Sequence, residues 1–287
     1  MQRRMTGLLV ILGFLAFGQP ASVGAEARPT GSSIGRVAIV GASLSQGFGA
    51  PPGWKAAVVA SRREPLENPI EHTSLFFFVR PVAHGTALVS KTEVLKPSLV
   101  VALDFLFWFG YGNVDAAGAP MTSENDRFTL LDRGTALLEQ FDCPVVIGDF
   151  PDMSAAVGRI LAPGQVPQPA TLAALNQRLR TWASSRTTIV LVSLAQWMDR
   201  IQAGQPIRIG EHVFDNDSTA KWLQEDRLHP SPEGLVALAM LVNERLIDRG
   251  FLDPDATVNS LPEIARKMEI ATLPETPTQG DDNRQER

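Results

Sequence analysis

The chain has 287 residues, of which 44% are hydrophobic and 20% charged, with a net charge of −5 and one cysteine, Cys143. An acidic balance argues against nucleic acid as the main partner. One thiol cannot form an intrachain disulfide, so stability must come from a hydrophobic core, and this length supplies one sizeable domain.

The chain opens MQRRMTGLLVILGFLAFGQPASVGAEA. Arg3 and Arg4 precede an apolar run from Leu8 to Phe17, and Val23-Gly24-Ala25 places small residues at a cleavage site. That is the layout of a secretory signal, too short to span a membrane comfortably; the alternative is a retained N-terminal anchor. Cleavage after Ala25 removes two arginines and no acid, leaving 24 basic against 31 acidic side chains and a net charge of −7. The expected organisation is a signal over 1–25, a linker over 26–35, a main domain over 36–255 and a C-terminal extension over 256–287. The extension is expected to be disordered from about 272, where LPETPTQGDDNRQER has little to bury. The expected location is periplasmic or extracellular, with no stable membrane insertion once the signal is cleaved.

Short apolar runs bounded by turn residues predict buried strands over Val37–Val40, Leu75–Val79, Leu99–Leu103, Val145–Ile147 and Ile189–Val192. Helical spacing of apolar residues predicts helices over Arg127–Phe141, Pro169–Ser184 and Gly234–Arg249. The segment 162–169, APGQVPQP, reads as an exposed loop. Alternating strands and helices, with the strands apolar throughout, predict an α/β fold: a three-layer α/β/α sandwich around a mainly parallel five-stranded sheet. Functional residues of such sheets collect beyond the carboxyl ends of the strands. Ser43 stands there, in VAIVGASLSQGFGA over 37–50.

A glycine-flanked turn after a first strand can also cradle a nucleotide, and this opening superficially resembles a short-chain dehydrogenase. The spacing of Gly41, Gly47 and Gly49 is two residues too long for that site. Only eight residues separate Gly49 from Val58, the start of the expected second strand on that reading, and Pro51, Pro52 and Gly53 are among them. The sole tyrosine, Tyr111, is followed four residues on by Asp115, where such an enzyme needs lysine. No phosphate-binding P-loop pattern occurs.

The second informative stretch is EDRLHPSPEGL over 225–235. A carboxylate at Asp226 can lie beside the imidazole of His229 in a tight turn, accept its Nδ1 proton and fix its tautomer. Pro230 and Pro232 stiffen that loop. A serine hydroxyl becomes a nucleophile when such a base stands within hydrogen-bond reach.

Together these stretches resemble the SGNH (GDSL-type) hydrolases, esterases and lipases on a flavodoxin-like three-layer sheet. GASLSQG resembles the family's first block, with Ala42 in place of the common aspartate, and DRLHPSPEGL resembles its last block through Gly234. The resemblance spans roughly residues 36–250. It implies Ser43 as nucleophile, His229 as general base and Asp226 as its orienting carboxylate. The nucleophile does not stand in a G-x-S-x-G elbow, which disfavours the α/β-hydrolase superfold.

The resemblance further implies an oxyanion hole made by the Ser43 amide, a second-block glycine and a third-block asparagine. Gly85, in HGTA after an expected strand, is the second-block candidate. At the third block the chain departs from the family, with Asp104, Phe105 and Leu106 where glycine, any residue and asparagine are expected. Asn113 is the candidate substitute donor. Asp104 either faces the oxyanion, where its charge would oppose catalysis, or turns toward neighbouring backbone. Asp104, Phe105 and Trp108 are the candidate pocket residues, the aromatics having a competing place in the core. His72, His84 and His212 are scattered without metal-ligand spacing, so neither metal nor cofactor is expected.

The leading expectation is therefore an exported serine esterase acting on a small-molecule or polysaccharide ester through an acyl-serine. The alternative is a catalytically impaired domain of the same fold that binds glycan or scaffolds a surface complex, motivated by the missing third-block asparagine.

Overall fold

The computed structural model describes residues 34–269. The expected signal and the tail from 272 lie outside the described residues. Five strands form one sheet: β1 (Val37–Gly41), β2 (Ile70–Thr73), β3 (Leu99–Ala102), β4 (Val145–Gly148) and β5 (Ile189–Val192). All four pairings are parallel, in the order β2-β1-β3-β4-β5. A short antiparallel ribbon, β6 (Ile207–Ile209) and β7 (His212–Phe214), stands apart. The helices are α1 (Trp54–Ala60), α2 (Pro81–Glu93), α3 (Phe107–Gly110), α4 (Asn125–Leu138), α5 (Pro169–Ser184), α6 (Leu194–Gln202), α7 (Asn216–Thr219), α8 (Pro232–Asp248) and α9 (Leu261–Lys267).

Strand order dictates the layering. Crossovers between parallel strands are right-handed, so reversing the direction of travel along the sheet reverses the face that a connection covers. The chain steps one way from β1 to β2 through α1. It then returns through α2 to β3 and continues through α4 and α5 to β4 and β5. Accordingly α1 packs with α8 and α9 on one side, while α2, α4 and α5 line the other. With both faces covered, β1, β3 and β4 are buried along their whole length. No helix among the described residues is long and apolar enough to cross a membrane.

Four expected strands fall within one residue of the observed ones, and the helix expected over Pro169–Ser184 has those bounds. The strand expected over Leu75–Val79 is a correction. That segment is a turn leading into a 3-10 helix over Phe77–Val79, and only Phe77 is buried within it. The real second strand is IEHT, an edge strand paired on one side only, which tolerates polar side chains. Val58 likewise belongs to α1 rather than to a strand. A helix does follow the glycine turn, so the case against a nucleotide site rests on glycine spacing and the absent lysine.

The chain also continues past the expected boundary at 255 as part of the same core. Val258, Leu261, Ile264, Ala265 and Met268 are all buried, and α9 packs against α1 and α8.

Candidate active site

β1 and β3 are neighbours from which the chain departs in opposite directions, so the crevice beyond their carboxyl ends is the switch point of the sheet. Ser43 follows β1 and Asp104 follows β3, and they meet there. Asp104 Oδ1 accepts from the Ala42 amide at 3.1 Å and the Ser45 hydroxyl at 2.5 Å, while Oδ2 accepts from the amides of Leu44 at 2.9 Å and Ser45 at 3.2 Å. A β-carbon at position 41 would collide with Asp104 Oδ1 and Ser45 Oγ, so this knot requires Gly41. Asp104 therefore takes the second of its two expected orientations and shapes the backbone that presents Ser43. Of the four amides from 42 to 45, that of Ser43 alone donates to no acceptor among the described residues. Burial pushes the Asp104 pKa up, against the opposing effect of the Ser45 hydroxyl and the three amides.

The second half of the site is the turn before α8. Asp226 Oδ1 accepts from the amides of Leu228 and His229, each at 2.9 Å, and Oδ2 lies 2.6 Å from His229 Nδ1. Arg227 makes the turn tight enough by adopting φ of 60°. His229 Nε2 lies 2.8 Å from Ser43 Oγ. These partners define the proton positions: an ionised carboxylate only accepts, so Nδ1 carries the hydrogen and Nε2 is left to accept from the serine hydroxyl. His229 is 4% exposed, whereas Ser43 is half-buried and lines an open cavity. Burial alone would raise the Asp226 pKa. The hydrogen bonds from the His229 ring and the His229 and Leu228 amides together bring it below the usual carboxylate value.

Sequence reasoning missed the residue that joins the two halves. Gln224 Nε2 donates to the Phe48 and Pro230 carbonyls, each at 2.8 Å, tying the serine turn to the histidine loop. Phe48 also packs on the imidazole, with ring centroids 4.7 Å apart. Gln224 lies two residues before Asp226, but its reach back to Phe48 crosses 176 residues and leaves no sequence signal.

The cavity at Ser43 has a volume of about 60 Å3. Its walls include Leu44, Phe107, Phe150, Met153 and Leu194, with Asp104 and Asp149 as the carboxylates. Asp149 accepts from the Ala195 amide at 2.7 Å, and burial raises its pKa. The far wall is stiffened by Tyr111, whose hydroxyl donates to Pro151 O at 2.5 Å and accepts from the Met153 amide at 3.2 Å. Asn176 clamps Phe150 by its backbone N–H and carbonyl at 2.8 and 2.7 Å.

Four expected site residues stand elsewhere. Gly85 lies inside α2, its backbone amide within the helical ladder, and a β-carbon there would meet Leu137, Phe109 and Phe105. It is a helix-packing glycine rather than an oxyanion donor. Asn113 is exposed and outside the cavity lining. Phe105 is fully buried between Phe77 and Phe109, and Trp108 packs against Phe78 and Phe107 outside the cavity. Of the aromatic residues over 105–111, Phe107 lines the cavity, stacked on Tyr111 at 4.3 Å. No group of three or more metal-ligating side chains is found among the described residues.

A parallel α/β sheet with a serine, histidine and aspartate hydrogen-bonded in series at its switch point is the arrangement that the resemblance to the SGNH (GDSL-type) hydrolases implies. Among solved structures, the chain is similar to a protein assigned as an acylhydrolase from Bacteroides fragilis, at 17% identity over 78% of this chain and 92% of that one, with a TM-score of 0.49. It is also similar to a GDSL-like lipase from Bacteroides thetaiotaomicron, at 17% identity over 75% and 87% of the two chains and a TM-score of 0.44. A salicylyl-acyltransferase from a tetracycline biosynthetic pathway matches at 14% identity over 78% and 57%, with a TM-score of 0.41. No protein-family model and no curated protein sequence matches the chain.

Proposed function

We propose that the protein is an exported serine hydrolase of small carboxylic esters, with Ser43 as nucleophile, His229 as general base and Asp226 as the carboxylate that orients it. The observation that carries this reading is the unbroken series Ser43 Oγ to His229 Nε2 at 2.8 Å and His229 Nδ1 to Asp226 at 2.6 Å. As Oγ bonds to the ester carbon, its proton passes to Nε2 and the carbonyl electron pair moves onto oxygen. The Ser43 amide, left free by the Asp104 knot, donates to that oxyanion. Collapse expels the alcohol, which takes the proton from Nε2. Water then releases the acyl group using the same base.

Cavity size selects the acyl group. About 60 Å3 of space among the apolar walls beside Ser43 suits an acetyl or propionyl tail better than an eight-carbon chain. Forcing extra methylenes into a packed wall costs about 1–3 kcal/mol. For 4-nitrophenyl esters, kcat/KM is therefore expected to be at least about tenfold higher with acetyl than with octanoyl. The reading itself is tested with a fluorophosphonate probe followed by peptide mapping: phosphonylation at Ser43 supports it, and an unlabelled chain that turns over no aryl acetate removes it.

A further inference from the structure

Away from the serine, at the sheet edge formed by β5, a groove of about 540 Å3 runs between α6, the β6–β7 ribbon and α8. Each of the three elements contributes one guanidinium: Arg200 from α6, Arg208 from β6 and Arg245 from α8. Among the described residues Glu244 is the sole acidic one in the lining, which thus carries a charge of +2 on a chain whose net charge is −5. Like charges gathered in one concavity repel, and random placement of arginines on an acidic surface gives no reason to converge them.

Hydrogen bonding separates the groups that hold the groove from those it offers. Arg200 Nη1 donates to the Pro206 carbonyl at 3.1 Å. Arg245 donates to the Leu191 carbonyl at 3.4 Å and pairs with Asp248, outside the lining, at 3.2 Å. Glu244 accepts from the Gly210 amide at 3.0 Å, holding the ribbon against α8. By contrast, the side chains of Arg208, Gln196 and Ser193 make no hydrogen bond to any described residue. Ser193 stands at the N-cap of α6, where serine ordinarily accepts from the first turn, yet its side chain caps nothing and lines the groove. Trp197, 6% exposed and also in the lining, keeps its indole N–H without an acceptor.

We infer that this groove is a binding site for a phosphate-bearing ligand, with Arg208 as its principal contact and Arg200 and Arg245 flanking it. Guanidinium forks match phosphate oxygens two at a time. A phosphate monoester is close to a dianion at neutral pH, which the +2 lining complements, and Ser193 and Gln196 supply neutral donors beside it. The volume exceeds that of a bare anion and falls in the range of small-molecule sites, so the phosphate is carried on a larger body.

The groove shares no lining residue with the Ser43 cavity, so its test does not require activity. Calorimetric titration of the full chain with inorganic phosphate, at ionic strength held constant with chloride, is expected to give saturable binding. Arg208→Ala should weaken it about tenfold, the usual weight of a lost charge-assisted hydrogen-bonded contact. Arg133→Ala, at an exposed arginine in α4 outside this groove, should leave it unchanged. Melting curves without phosphate should coincide for both variants and the parent. Absence of saturable heat in the parent overturns the proposal, as does equal affinity in Arg208→Ala. A malonate titration in the same buffer decides the ligand chemistry: malonate bound as tightly as phosphate replaces the phosphate assignment with a dicarboxylate.

Discussion

Replacing His229 with alanine is expected to lower turnover of an aryl acetate by about 10⁴–10⁶-fold while KM changes little, because the loss falls on a group engaged only in the reaction. Ser43→Ala should lose a similar amount, and the double variant no more than either single one, since the two side chains act as a unit. Multiplicative losses in that cycle would mean that the 2.8 Å contact is not part of the reaction. Asp226→Asn should cost about 10⁴-fold while the fold is retained, by offering the imidazole Nδ1 an amide that can favour the wrong tautomer. The pH sign follows from the depressed Asp226 pKa. A carboxylate whose folded pKa lies below its unfolded value of about 3.9 contributes its stability in full above that value and loses it as pH falls through the folded pKa. Asp226 is thus ionised at every pH above about 4 and sets no limb of the activity profile near neutrality. In Asp226→Asn, the fall in melting temperature on acidification below about pH 4 should be shallower than in the parent.

The parts of this site legible in the sequence are those whose partners are close along the chain or whose surroundings are uniformly apolar. Asp226 and His229 are three residues apart, and a tight turn is enough to join them. Strands buried on both faces announce themselves as unbroken Val, Ile and Leu runs, as β3 and β4 do. β2 is hidden in the sequence because an edge strand needs only one neighbour, while the nearby LFFFV is more strand-like in composition yet exposes Phe76. Gly85 stood near the expected position in sequence, but the helix around it begins at Pro81, and its missing side chain serves the packing of Phe105 and Phe109. Gln224 and Asp104 act on backbone groups 176 and about 60 residues away. A backbone amide has no identity in a sequence, so contacts of that kind are invisible until the strands are placed. Asp104 stands out in the sequence as a carboxylate after β3, but that it binds the turn opened by Ala42 follows only from the β1–β3 register.

The Asp104 knot carries the second large effect. Asp104→Ala is expected to reduce kcat by about 10²–10³-fold, to leave KM within about twofold, and to lower the melting temperature by roughly 10 °C or more. The side chain satisfies three amides and one hydroxyl in a buried knot, and each buried donor left without a partner costs about 1–3 kcal/mol. The turn can relieve that cost only by rotating its amides toward other acceptors, which moves Ser43 away from His229 and turns the one free amide, its own, off the oxyanion. Asp104→Asn should be the milder variant. With its NH2 placed at Oδ1, the Ser45 hydroxyl can rotate to accept from it, and only the Ala42 amide loses its partner, a cost of about 1–3 kcal/mol. The pH dependence has the opposite sign to that of Asp226. Burial holds the folded pKa of Asp104 above its unfolded value, so its contribution is greatest below about pH 3.9 and declines as pH rises through the folded pKa. Asp104→Asn removes that decline, and its deficit against the parent should narrow from pH 4 upward. A substrate-binding Asp104 would show the reverse kinetic signature, a raised KM with kcat and melting temperature preserved. The split between kcat and KM therefore decides whether this carboxylate builds the serine turn or greets the substrate.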